Sequence, residues 1–130
     1  MAGMDENMLS DVIAAALRAG ADAAEAVVAE RAALGVNVRL GKLEEVEREE
    51  SRDIGLRVFI GKRHATVSGS DISPAARAKL VERAVAMARL APEDPYGGLA
   101  DPELYARAPL PELDLFDAQE PSPEALEEAA

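Results

Sequence analysis

The chain has 130 residues, enough for one domain with a real core and too few for two comfortable ones. Fourteen basic against 25 acidic side chains leave a net charge of −11, a surface that repels phosphate backbones and argues against direct nucleic-acid binding. There is no cysteine, which excludes disulfides, thiolate metal sites and thiol nucleophiles, and no apolar run approaches the ~18–20 residues that span a bilayer.

Hydrophobic residues make up 48% of the chain, but 27 residues are alanine and aromatics are only 3%, so the core should be thin and built from Val, Leu and Ile. The opening MAGMDENMLSD is acidic and lacks the cationic start of a signal peptide, so a cytoplasmic location is expected. Leu9, Val12, Ile13, Ala16 and Leu17 follow the spacing of an amphipathic helix, expected over Glu6–Ala19, with Gly20 placed to end it in a left-handed conformation. Asp22–Arg31 reads as a strand on Val27 and Val28, although its alanines also suit a helix; Ala32–Leu34 is expected to turn.

A longer β-rich stretch follows. Val36, Val38 and Leu40 alternate with Asn37 and Arg39, and Gly41-Lys42 suits a glycine-first hairpin loop. The return strand, Leu43–Ser51, carries Leu43 and Val46 out of phase, which suggests a bulge or an edge that its glutamates protect from pairing with other chains. Ile54, Leu56, Val58 and Ile60 are in strict phase opposite Gly55, Arg57 and Phe59, the strongest strand pattern in the chain. Gly61-Lys62 offers a second glycine-first turn, and His64–Gly69 is the last strand. Ser73-Pro74 then starts a helix: serine can accept from first-turn N–H groups, and proline at the first helical position needs no hydrogen bond. Leu80, Val81, Ala84, Val85 and Ala88 form its apolar stripe, and it should end before Pro92.

Beyond that point the composition changes. Seven of the eight prolines lie at or after position 92, so Pro92–Pro121 reads as an extended wrapping segment with one short helical turn near Pro102–Tyr105. Ser122-Pro123 repeats the helix-start chemistry, but only seven residues follow that proline. The expectation is an α+β fold: a helix, an antiparallel meander of four to five strands, a covering helix, a proline-rich tail and a truncated last helix. The divisions are 1–92 for the helix–sheet–helix domain, 93–121 for the extended segment and 122–130 for a helix belonging to a longer protein. Helices gathered on one face would leave the other face of the sheet free for a partner.

No catalytic, cofactor-binding or metal-ligating residues can be assembled from the pattern. The single histidine, His64, sits beside Lys62 and Arg63 and reads as an exposed turn residue; one histidine without cysteine does not make the usual zinc site. Glu44, Glu45, Glu47, Glu49, Glu50 and Asp53 are interrupted by Arg48 and Arg52 and lack a calcium-loop spacing, so they read as a solvated strand. Ser68-Gly69-Ser70-Asp71 resembles an anion-binding loop ahead of a helix, yet Asp71 would repel an anion there and a plain cap is favoured.

The order of motifs carries more. Ser68–Pro74, Asp94–Leu99 (DPYGGL), Leu110–Asp117 (LPELDLFD) and Ser122–Leu126 (SPEAL) occur in a succession that resembles the front region of the TldD/PmbA family, nearer its PmbA-like (TldE) branch. The resemblance covers the chain from about Gly20 onward. It implies a two-subunit peptidase acting on unfolded or small peptides, including antitoxin turnover and peptide maturation, in a family once described as modulators of DNA gyrase. Zinc would belong to the sister or catalytic subunit through an H-E-x-x-x-H motif that no position here matches. The implied partners are a TldD-like sister subunit or a second copy, and a peptide substrate, with neither nucleic acid nor membrane. A regulatory protein-binding module without a proteolytic role is the alternative, and Leu43–Ser51 is the expected contact strand.

Overall fold

The computed structural model describes residues 2–130, with side chains from Asp5 onward. Its order is α1 (Ala2–Arg18), β1 (Ala23–Arg39), β2 (Lys42–Ile60), β3 (Arg63–Gly69), α2 (Pro74–Leu90), a single 3₁₀ turn at Pro102–Leu104 and α3 (Pro123–Ala129). The strands form one antiparallel sheet in the order β1-β2-β3. The residues divide into two compact units, Met1–Glu30 with Arg52–Asp101, and Arg31–Ser51 with Pro102–Ala130; β1 and β2 each contribute to both.

The α+β class is as expected, but the strand count is three rather than four to five. The expected turn at Ala32–Leu34 lies inside β1, and the expected return strand and the Ile54–Ile60 strand are one continuous β2 of 19 residues. The physical reason is the absence of a breaker: Ala32–Leu34 contains no Gly, Pro, Asn or Asp to reverse the chain. Helix α1 also begins earlier than Glu6. The β1–β2 loop is Leu40-Gly41, one residue before the expected pair, and both residues have positive φ (53° and 71°), the combination of a type I′ turn. The second loop does put glycine first, with Gly61 at φ 58°.

In the first unit, α1 ends in a Schellman motif. Gly20, at φ 107°, donates to the Leu17 carbonyl while Ala21 donates to that of Ala16. Helix α2 starts as its sequence indicates, with Ser73 Oγ accepting from the Ala76 N–H at 3.3 Å and Pro74 in the first turn. It packs on β3, and α1 packs on α2. All five residues of the expected α2 stripe are buried, against Val12 and Ala16 of α1 and the in-phase row Ile54, Leu56 and Val58 of β2. Strand β3 lies antiparallel to β2 in a register running from Ile54↔Gly69 to Ile60↔Arg63. Thus β2 is central only along its last seven residues, and its acidic first half pairs with β1 alone.

The second unit has no buried residue among those described. Its polar contacts include exposed pairs: Arg48–Glu50 at 2.8 Å, Arg39–Glu44 at 3.5 Å and Asn37 donating to Glu45 at 3.2 Å. Ser122 caps α3 through the Ala125 N–H at 3.2 Å. No helix among the described residues is long and apolar enough to cross a membrane.

Candidate functional site

The β2–β3 alternation sends Ile54, Leu56 and Val58 toward the helices and Gly55, Arg57 and Phe59 to the opposite face. A residue on an uncovered sheet face should be accessible, yet Phe59 is only 5% exposed and lies outside the main core cluster. Two side chains pack on it. Its cross-strand partner His64 sets an imidazole 5.7 Å from the phenyl centroid at 41°, and the Arg57 guanidinium lies 5.0 Å above the ring. Residues beyond α2, centred on Asp94, come back to the start of β3 beside the imidazole.

That returning segment is organised by one aspartate. Asp94 donates its N–H to the Lys62 carbonyl at 2.7 Å, while its Oδ2 lies 3.4 Å from His64 Nε2. Its Oδ1 accepts from the Tyr96 N–H at 3.0 Å and its carbonyl accepts from Gly97 at 3.1 Å, a tight Asx turn around Pro95. The N–H of Tyr96 first, then the imidazole of His64, hold the Asp94 carboxyl below the usual aspartate range. Gly97 is required by space: a Cβ there would lie 2.9 Å from His64 Cδ2. Where α2 ends, Arg63 donates to the Arg89 carbonyl at 2.9 Å and ties the start of β3 to the last turn of the helix.

Beside Phe59 the same face continues into an open cleft of about 410 Å³, lined by Glu25, Val27, Gly55, Arg57 and Thr66 among others. Val27 is 61% exposed there, and a Cβ on Gly55 would meet its Cγ1 at 3.2 Å. Arg57 is paired with Glu25, which anchors the guanidinium beside the phenyl ring. The imidazole's hydrogen-bond partner is a carboxylate rather than a hydroxyl or thiol, so the arrangement is suited to holding a segment rather than activating a nucleophile.

The residues weighed in the sequence therefore fare differently. His64 is the first-turn end of β3, partly buried and partnered, and not an exposed turn residue. The run from Glu44 to Glu50 is exposed along β2, and among the described residues no three acidic or histidine side chains converge to hold a metal ion. At the start of α2, Asp71 accepts from the Ser73 N–H at 2.8 Å, which lowers its pKa; this is a cap. The pattern did not single out Phe59, and it marked Asp94 and Gly97 only within the Asp94–Leu99 motif, not as contacts of His64. A large aromatic in the solvent phase of a strand and an Asp-Pro ahead of two glycines were the available signals.

Comparison with known proteins adds the following. The family described as PmbA/TldA metallopeptidase domain 1 matches residues 24–88. The chain is 40% identical over 110 residues to "Metalloprotease PmbA" of Escherichia coli O157:H7, covering 84% of this chain and 24% of that protein. It is 36% identical over 110 residues to "Metalloprotease PmbA homolog" of Haemophilus influenzae, covering 85% and 24%. The chain thus spans about a quarter of the length of these curated relatives. Its fold is similar to that of a Bacteroides thetaiotaomicron protein provisionally named a modulator of DNA gyrase, with TM-score 0.80, 18% identity and coverage of 88% and 26%. It is similar also to that of TldE from Thermococcus kodakarensis, with TM-score 0.70, 21% identity and coverage of 90% and 26%.

Proposed function

The chain belongs to the PmbA/TldD metallopeptidase family, matched through its first domain, and from that membership we propose that it serves as the non-catalytic front domain of a PmbA-like subunit. The whole protein would act with a TldD-like sister subunit, or with a second copy, in a zinc-dependent, cytoplasmic peptidase that processes unfolded or small peptides. The observation that carries this reading is the 40% identity to a named metalloprotease across 84% of the chain. The names of the relatives imply a metal, but the described residues of this chain do not fit one, so no step of the chemistry is assigned to them. The domain's part is support: it supplies a sheet and an exposed acidic strand, Leu43–Ser51, for contact with a neighbour.

The regulatory reading gains less support. The gyrase-modulator name belongs to a protein of 18% identity, a likeness that extends to fold alone. The two readings separate in one experiment. The full-length protein carrying this domain is purified alone and with a TldD-like partner, and hydrolysis of an unfolded peptide is followed. Activity is expected only with the partner; a lone protein that cleaves the peptide at the same rate overturns the non-catalytic assignment.

A further inference from the structure

The segment against His64 is attached sparsely. Among the described residues, Glu93–Gly97 makes one backbone hydrogen bond to the β2–β3 turn, from Asp94 to Lys62, one side-chain contact, from Asp94 to His64, and a marginal pair of Glu93 with Arg63 at 4.0 Å. Its own large apolar group does not anchor it, since Tyr96 is 95% exposed. Segments with few buried apolar contacts and solvent-exposed hydrogen bonds open at the low end of the local-unfolding scale. The surface beside it is well organised: Phe59 is framed by Arg57 and His64, and the same face continues into the cleft at Val27 and Gly55. A loosely held peptide on a firmly built surface is the arrangement of an exchangeable occupant.

We propose that His64, held by its packing on Phe59, and the Lys62 carbonyl form a binding site for an extended peptide segment bearing a carboxylate side chain with a glycine three residues on, and that Asp94–Gly97 occupies it in cis as a displaceable cover. The chemistry of the occupant is read from the cover. A carboxylate meets the imidazole, the same residue's N–H meets the carbonyl at the β2–β3 turn, and a residue without Cβ lies flat against the imidazole ring. An incoming peptide with those groups reproduces each contact and can extend along the open face toward Val27, which the cover leaves exposed. The site stands on the sheet geometry and holds whether or not the chain works in a peptidase.

His64 is the chain's single histidine, so its imidazole C–H signals in NMR are an unambiguous reporter. Two variants release the cover: Gly97→Val, which drives a side chain into the imidazole, and Asp94→Ala, which removes the carboxylate. Each should shift the His64 signals while leaving the methyl signals of Ile54 and Leu56 in place. Adding the peptide Asp-Pro-Tyr-Gly-Gly-Leu should then return the His64 signals toward their unmodified positions in a saturable manner, with apparent affinity at least tenfold tighter than for the unmodified chain. The peptide Ala-Pro-Tyr-Gly-Gly-Leu should fail to do so. If Gly97→Val perturbs the core methyls, Asp94→Ala carries the same measurement. Unchanged His64 signals in Asp94→Ala, no response to the aspartyl peptide, or an equal response to the alanyl peptide each overturn the proposal.

Discussion

The two units of this chain are built from the same kinds of element and differ in what those elements bury. The first, residues 1–30 and 52–101, contains every buried apolar side chain among the described residues, with Ile54, Leu56 and Val58 fully enclosed. The second, residues 31–51 and 102–130, carries long strands, a capped helix and several large apolar side chains, yet none of its residues is buried. The charge divides unequally too: five basic against thirteen acidic side chains place −8 of the net −11 on the second unit. Secondary structure is therefore no measure of where the stability lies. Hydrogen-bonded strands persist in both units, but burial of apolar area, the dominant favourable term, is confined to one.

The largest test of that contrast is a matched pair of truncations. Leu56→Ala removes a side chain with no exposed surface and should lower the unfolding free energy by about 2–5 kcal/mol in a denaturant titration. Leu115→Ala, at a residue 85% exposed in the second unit, should change it by no more than about 0.5 kcal/mol. Equal effects would show that the second unit shares a core with the first after all.

The caps sharpen the comparison, because the same dipeptide does the same chemistry in both units. Ser73 and Ser122 each accept from a first-turn N–H, at 3.3 and 3.2 Å, and each is followed by proline. Ser73→Ala should cost about 1 kcal/mol of global stability, since α2 is part of the core. Ser122→Ala should reduce the helicity of α3 without moving the midpoint, since a seven-residue helix without buried residues contributes nothing to global unfolding. Circular dichroism with a denaturation midpoint reads both outcomes, and a midpoint shift in Ser122→Ala would count against the division.

How much of this was legible in the sequence follows the same division. The α2 stripe, its Ser73-Pro74 start, the Gly20 stop and the Ile54–Ile60 phase were readable because each is a local pattern with a local cause. The number of strands was not, because Ala32–Leu34 has neither turn residues nor strong strand formers, and continuity of β1 is decided by pairing with β2. The segment packed against His64, the cross-strand partner of Phe59, was missed for a related reason. Asp94 and Gly97 are more than thirty residues from Phe59, and no periodicity announces a contact of that range. His64 looked exposed because its neighbours are charged, whereas its environment is set by a carboxylate thirty residues away.

Acid should separate the units more weakly. Asp71 and Asp94 in the first unit, and Glu124 in the second, all have lowered pKa values, through the N–H groups of Ser73, of Tyr96 and of Glu124 itself in the first instance. A carboxyl with a folded-state pKa below its unfolded value contributes stability that is fully present above the unfolded pKa and is lost as pH falls through the folded one. Acidification below the ordinary carboxylate range should therefore loosen the α2 cap and the Asp94 turn before the core gives way. Asp71 and Glu124 are exposed and Asp94 is only partly buried, so the effect is small. Asp71→Asn should flatten the acid limb of the stability profile, whereas Glu124→Gln should change only the helicity of α3; the reverse pattern would place core-supporting structure in the second unit.

The smallest expected effect has the opposite sign. Leu40 stands at φ 53° in the β1–β2 loop with a side chain 95% exposed, so it bears the cost of a left-handed backbone without the return of burial. A type I′ loop favours Asn-Gly at its two central positions, and this chain already has the glycine, Gly41, at the second. Leu40→Asn should relieve the strain and slow amide exchange in the adjoining ends of β1 and β2. The global denaturation midpoint should stay where it is, because the loop belongs to the unit that buries nothing. A Leu40→Asn protein without added loop protection would show that the left-handed backbone at this position carries no strain.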